Sequence, residues 1–350
     1  MTVCFFGNYL KDYGRVAVLR QAFIKNNINL IECHTRERGF KKYWSLFKQH
    51  AGIKKQYDLI LVMMGGQTLV WFAKILSKKK IFFDAFASLY VTNVEDRRNC
   101  SSKGLKARYY AFLDWFSCWL ADKVLLDTKA QIDFFIKKYG LPREKFIRVF
   151  VGADEKVYFP TNSQQPTVNK KFIIHWHGYI VPFYAVDIII KAAAILNQNK
   201  DIEFRLVTRF NSKYKKIKQL VDELGLDNIK FHPECSHEEL ARYINDADVC
   251  LGVFGNNLKA QLVIPNKIFE AVACAKPVIT ADQKVIEELF TEGDNILLIK
   301  PRDSKALADK ILDVKKNEST RKEVSLNCLK LFRQKLTAKV IISQLLSEFD

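Results

Sequence analysis

Short apolar runs alternate along this chain with stretches in which apolar residues recur every three to four positions. In the first half, Val3–Phe6, Asn29–Glu32, Leu59–Met63, Ile81–Asp84, Val124–Asp127 and Phe146–Val151 read as strands, being short and rich in β-branched and aromatic residues. Helical spacing fills Arg15–Lys25, Gln67–Ser77, Leu105–Leu120 and Lys129–Tyr139. The alternation then starts again. Strands are predicted at Phe172–His175, Glu203–Val207, Ile229–His232, Val249–Phe254, Pro277–Thr280 and Ile296–Ile299, with helices over Val186–Asn197, Tyr214–Leu224 and His237–Asn245. Such alternation predicts parallel sheets covered by helices on both faces. The class is therefore α/β, with two tandem Rossmann-like, doubly wound domains facing a cleft. Phe159–Pro166 is polar, bounded by proline and aperiodic, so it reads as interdomain linker. The expected boundaries are 1–158 for the first domain, 159–170 for the linker, 171–335 for the second domain and 336–350 for a terminal helix over Ala338–Phe349.

Composition agrees with two cores. The chain has 350 residues, 49% of them hydrophobic and 13% aromatic, enough apolar material to exclude a disordered chain. The opening residues Met1–Gly7 lack the basic region of a secretory leader. No uncharged stretch is long enough to span a bilayer, and Tyr109–Leu126 carries Asp114, Asp122 and Lys123. The eight cysteines are scattered and none forms a CxxC pair. Free thiols in a reducing cytoplasm are expected, and no zinc site.

Charge adds an asymmetry. Of the net +18, residues 1–160 carry +14, from 28 Lys and Arg against 14 Asp and Glu. A basic first half points to an anionic partner: membrane lipid, a lipid-phosphate acceptor or nucleic acid. Nucleic acid is disfavoured, because the basic residues do not interleave with aromatics in a groove pattern. The expectation is a cytoplasmic protein making peripheral contact with an anionic membrane at its inner face. Lys78-Lys79-Lys80 is either a solvated run or part of that contact.

Open α/β sheets bind ligands at the carboxyl ends of their strands, so the loops there hold the candidate chemistry. The strongest is Leu251–Ala260 followed by Val263–Ala271. A strand runs into a Gly/Asn loop with Gly255 and Asn256, then into a helix that Pro265 is suited to open. The free N–H groups of such a helix favour a diphosphate. Lys267 adds a positive charge and Lys259 a second. Glu270, one turn on from Asn266 and Lys267, can accept two hydroxyl hydrogen bonds, as from a ribose. The alternative is an ordinary surface Lys267–Glu270 pair. His177 and Gly178 end the first strand of the second domain, where His177 is placed to touch a donor and His175 to be structural. In the first domain Asp84 ends a strand. It is either a general base for an acceptor hydroxyl or a loop-capping carboxylate. Gly7, Arg15 and Ser88 follow or neighbour strand ends and are assigned to the acceptor side. No G-x-G-x-x-G follows the first strand, which gives a dinucleotide cofactor little support. Asp246-Ala247-Asp248 resembles a metal-binding Asp-x-Asp but precedes a strand rather than following one.

Val263–Thr280, Leu251–Lys259 and His177–Pro182 resemble the retaining GT-B glycosyltransferases of the glycosyl transferases group 1 family. The resemblance is strong over 171–300 and weaker over 1–160. It implies that Glu270 binds the donor ribose, that Gly178 lies against the diphosphate, and that the last helix packs back on the first domain. It further implies transfer with retention from a nucleotide-diphosphate sugar, taken as co-substrate, to a saccharide or lipid-linked acceptor, with no other cofactor and no metal. Three positions depart from the pattern. Leu262 stands where a sugar-contacting Glu is usual, the loop 178–186 lacks the usual basic pair, and Ala275 replaces the helix-closing Gly. Two other readings remain at this point: a nucleotide- or polyanion-binding protein without turnover, and a nucleotide-sugar epimerase.

Overall fold

The computed structural model describes residues 1–161 and 171–348. Most of the expected linker, 162–170, and Phe349 of the expected terminal helix lie outside the described residues. The chain forms two compact units. One comprises Met1–Gly152 together with the residues from Thr337 onward, the other Ala153–Leu336.

The first unit holds β1 Thr2–Gly7, β2 Asn29–His34, β3 Leu59–Val62, β4 Lys80–Asp84, β5 Lys123–Leu126 and β6 Phe146–Arg148. Its helices are α1 Gly14–Lys25, α2 Lys41–Ile53, α3 Val70–Leu76, α4 Leu105–Leu120 and α5 Lys129–Tyr139. The second unit holds β7 Phe172–His177, β8 Ile202–Thr208, β9 Ile229–Pro233, β10 Val249–Leu251, β11 Val278–Ala281 and β12 Leu297–Ile299. Its helices are α6 Val186–Ile195, α7 Ser212–Glu223, α8 His237–Asp246, α9 Leu258–Leu262, α10 Asn266–Ala273, α11 Ser304–Lys316 and α12 Glu318–Lys335. The chain then returns to the first unit as α13 Ala338–Ile341 and α14 Ser343–Leu346. A single terminal helix was expected. Ile342 leaves helical geometry there (φ −97°, ψ 8°) while its side chain stays buried, so the segment bends over the core as two short turns.

Every strand pairing is parallel. The first sheet runs β2-β1-β3-β4-β5-β6 and the second β12-β11-β10-β7-β8-β9. Strand period two explains why both faces of each sheet are covered. Along β1, Cys4 and Phe6 pack with Leu46, Val70, Ala73 and Cys118 of α2–α4. Val3 and Phe5 pack with Val16 and Leu19 of α1 and with Ala338, Ile341 and Leu345 of α13 and α14. Along β7, Phe172, Ile174 and Trp176 enter the core of α6 and α11. The alternate residues Ile173, His175 and His177 therefore face the other side, where α8 and α10 lie. Strand order reverses between β1 and β3 in one sheet and between β7 and β10 in the other, and such reversals open a crevice at the strands' carboxyl ends. No helix among the described residues is long and apolar enough to cross a membrane.

Candidate functional site

The crevice between β7 and β10 in the second unit is built from two loops bonded to each other. Phe254 N–H donates to Tyr184 O at 3.2 Å and Gly255 N–H to Phe183 O at 3.0 Å. A Cβ at Gly255 would sit 2.3 Å from Phe183 O, so the two backbones approach as they do only because that residue is glycine. Gly178, at φ +136°, turns the chain away from β7. Its carbonyl accepts from Thr208 Oγ1 at 2.7 Å.

Helix α10 points its N-terminus at this crevice. Pro265 sits at the cap position, one residue earlier than expected, with φ −74° and ψ 150° and no side-chain cap. The N–H groups of Asn266 and Lys267 therefore lack an intrahelical acceptor and a capping side chain, while Ile268 N–H donates to Pro265 O at 3.0 Å. Lys267 lies on the first turn with 4% of its surface exposed, and its Nζ has no hydrogen-bond partner among the described residues. The ammonium position lies 3.4 Å from the centre of the Tyr184 ring and 4.1 Å from that of Trp176. Nζ also fills the space beside Gly178, where a Cβ would stand 3.1 Å away. Burial holds the Lys267 amine well below its ordinary range, with Glu270 pulling weakly the other way.

Glu270 follows one turn on and is anchored. His177 Nε2 lies 2.7 Å from Glu270 Oε2, and His177 Nδ1 lies 3.0 Å from His175 Nε2. One assignment of protons satisfies this chain. His175 donates from Nε2 to His177, and His177 donates from Nε2 to the carboxylate. Burial lowers the pKa of both histidines, which favours these neutral rings; for His177 the bond to Glu270 opposes the shift. His175 also stacks on Tyr243 at 6.3 Å and 7°. Glu270 thus keeps a fixed orientation and one oxygen outside the histidine bond. Lys267 and Glu270 are both buried, so they are not the surface pair that spacing alone allowed.

The remaining donor-side residues flank the crevice. Lys259 Nζ lies 5.0 Å over the Phe183 ring. Asn256 is exposed, and its Oδ1 accepts from Gln261 Nε2 at 3.4 Å, while Asn257 caps α9 through Ala260 N. Asn266 opens α10 and is half-buried. Leu262 ends α9 and is buried. Ala275 is left-handed, at φ +55°, in the turn that closes α10.

In the first unit the expected acceptor-side residues are placed differently. Arg15 and Asp84 are both fully buried and paired, Nη2 to Oδ1 at 2.9 Å. Arg15 Nη1 also donates to Val149 O at 2.6 Å and Phe150 O at 2.9 Å. Asp84 therefore has no access to an acceptor, and the general-base reading loses its geometric support. Ser88 is buried too, donating to Asp114 Oδ2 at 2.6 Å and accepting from Val91 N at 3.0 Å. Gly7, at φ +148°, ends β1 beside Tyr9 and is not joined to these groups. Asp248 accepts from Ile173 N at 2.8 Å, a strand-edge contact. Among the described residues no group of three or more His, Cys, Asp or Glu is arranged to hold a metal.

Sequence reasoning missed the aromatic walls of Lys267. Trp176 and Tyr184 sit on a strand and a following turn, and no periodicity connects either to residue 267. The only signal was indirect: Trp176 lies between two histidines just before Gly178.

The two parallel sheets and their helices form the fold of the GT-B glycosyltransferases. HepE of Anabaena, in complex with UDP, superposes with a TM-score of 0.73 over 99% of each chain at 16% identity. Sucrose-phosphate synthase of Thermosynechococcus elongatus superposes at 0.78 over 100% of this chain and 98% of its own, at 15% identity. Residues 159–329 match the glycosyl transferases group 1 family, and the chain belongs to it through its second unit. A D-inositol 3-phosphate glycosyltransferase of Catenulispora acidiphila is 24% identical over 213 residues, 55% of this chain and 48% of its own. An uncharacterized glycosyltransferase of Methanocaldococcus jannaschii is 30% identical over 158 residues, 43% of this chain and 40% of its own. The chain thus spans about half the length, or less, of these curated relatives.

Proposed function

We propose that the chain transfers a sugar from a nucleotide-diphosphate sugar to a hydroxyl of a saccharide or lipid-linked acceptor, with retention and without a metal, in the synthesis of surface polysaccharide or glycolipid. One observation carries this reading: a buried lysine amine with no hydrogen-bond partner among the described residues, aimed with a helix N-terminus that has no side-chain cap at the crevice where the second sheet reverses. An unpaired buried ammonium is costly. A diphosphate supplies the missing partner and accepts from the helix N–H groups as well.

Each residue then has a task. Lys267 and the first turn of α10 hold the diphosphate, with Lys259 and Asn256 at its edge. Gly178, lacking a Cβ, leaves room for the Lys267 amine beside it. Glu270, oriented by His177, accepts from the ribose hydroxyls. In the reaction the bond from the anomeric carbon to the diphosphate breaks and a bond to the acceptor oxygen forms. Negative charge grows on the leaving diphosphate, so preorganised positive groups there lower the barrier. With Asp84 locked to Arg15, the catalysis assigned is electrostatic and acts on the leaving group. Leu262 offers no carboxylate to the sugar, so the site recognises the nucleotide end more than the sugar.

Melting shifts with a panel of nucleoside diphosphates and their sugars, UDP and UDP-glucose first, test the binding half. Transfer assays of Lys267→Ala and Glu270→Ala test the rest. Each substitution is expected to weaken donor affinity by about 1.5–3 kcal/mol, the range for hydrogen bonds to charged groups. Transfer unchanged in both variants overturns the site. Nucleotide binding without transfer to any acceptor favours a binding protein, the reading that Leu262 supports.

A further inference from the structure

We propose that the outer face of α2, α3 and α4 in the first unit is a docking surface for an anionic lipid bilayer, with aromatic rings seated among the headgroups and lysines on the lipid phosphates. It makes specific the membrane contact expected from the basic first half, and it is independent of the donor site.

Helix α4 is inside out. Its buried positions are Ala107, Asp114, Ser117 and Cys118, small or polar. Leu105, Tyr109, Phe112, Phe116 and Trp119 recur at alternating spacings of four and three, which places them on one stripe. The stripe faces outward: Leu105 is 83% exposed, Phe112 49% and Trp119 53%. Asp114 sets this orientation. Its oxygens accept from Ser88 Oγ, Leu89 N, Tyr90 N and Tyr139 OH at 2.6 to 3.2 Å. Rotating the helix to bury its rings would strip a buried carboxylate of all four donors. Phe112 stacks on Phe116 at 5.3 Å and 11°, and Trp119 stacks at 6.0 Å and 18° on Trp115, which itself packs partly against the core.

The neighbouring helices continue the surface. Exposed Trp44 and Phe47 of α2 stack at 5.7 Å and 18°. Trp71 of α3 meets Tyr43 of α2 at 5.6 Å, and Ile75 of α3 is exposed. A contiguous apolar face of this kind marks an interaction site, and Trp and Tyr, apolar bodies with polar edges, suit a bilayer interface.

Charge identifies the occupant. The three helices carry Lys41, Lys42, Lys48, Lys74, Lys106 and Arg108; Lys74 is paired with Asp122 just past α4, and the only acid within the helices is the buried Asp114. Exposed Lys78, Lys79 and Lys80 follow α3 directly. Anionic headgroups complement this field, with each basic residue contributing additively at low salt. A second copy docking face to face would set lysine against lysine.

Co-flotation with vesicles tests the surface, using the full chain, vesicles of phosphatidylcholine alone, and vesicles with about 30% phosphatidylglycerol to supply negative charge. The triple variant Trp44→Ser, Phe112→Ser, Trp119→Ser removes exposed rings only. It is expected to keep the wild-type melting temperature and nucleotide response, and to lose about tenfold or more in partitioning to the anionic vesicles. The Lys41→Glu, Lys106→Glu pair is expected to lose comparably at low salt and less at high salt. Anionic-vesicle binding that is untouched by both variants overturns the face while leaving membrane attachment standing. No binding to any vesicle overturns both. A wild-type dimer that the ring substitutions dissociate overturns the lipid as occupant.

Discussion

Lys267 combines two costs that a ligand would remove. Its amine is buried, and no acceptor among the described residues meets it. Because its folded pKa lies below the ordinary 10.5, the unfolded chain binds more protons across the window between the two values. Stability therefore rises with pH through that window, is complete above about 10.4, and is lost as pH falls through the folded value. Lys267→Met should abolish this component and melt higher than wild type at neutral pH without ligand. An anion at the site raises the lysine pKa, so nucleoside diphosphate binding should take up a proton. Calorimetric titrations in buffers of different ionisation enthalpy measure that uptake, and an enthalpy independent of buffer would refute it. The sequence pointed to Lys267 and Glu270 through a helix start and a one-turn spacing. Burial, the Trp176–Tyr184 walls and the His175–His177–Glu270 chain were not legible, because all depend on which strands become neighbours.

At the level of elements, all twelve strands among the described residues were readable: buried ones such as Leu59–Val62 and Val278–Ala281 leave unbroken apolar runs, and Ile229–Pro233 alternates apolar with polar residues. Helix α2 was not. It begins at Lys41 without a capping side chain and places Trp44 and Phe47 on its solvent side, so its apolar residues do not trace an inner face. Helix α4 was readable as a helix but not as an inverted one, because a period says that a stripe exists and not which way it faces. Helix α10 closes on Ala275 at φ +55°, where an L side chain is strained. Ala275→Gly should stabilise the second unit by about 1 kcal/mol, less the entropy glycine adds to the unfolded chain. Chemical denaturation measures this, with nucleotide response expected unchanged.

At the scale of the whole molecule, the Arg15–Asp84 pair ties the start of α1, the end of β4 and the residues after β6 into one piece. Removing either partner leaves a buried charge alone, at about 3–5 kcal/mol. Asp84→Asn and Arg15→Met should each lower the denaturation midpoint by a matching amount, and Arg15→Met with Asp84→Leu should recover part of it. Donor binding by the second unit should not change. An Asp84→Asn protein of wild-type stability with turnover lost would restore Asp84 as a base.

The return of α13 and α14 to the first unit has a consequence in time. Ala338, Ile341, Ile342 and Leu345 complete the layer over Val3, Phe5 and Leu61. A ribosome makes the 184 residues of Ala153–Leu336 in between, which takes about 10 to 40 s at ordinary elongation rates. For that interval the first sheet waits with part of one face uncovered, and the second unit has every residue it needs before α13 and α14 are made. The unit that begins first is thus the one that finishes last, and a chaperone meeting the nascent chain would find its apolar client in the amino-terminal half.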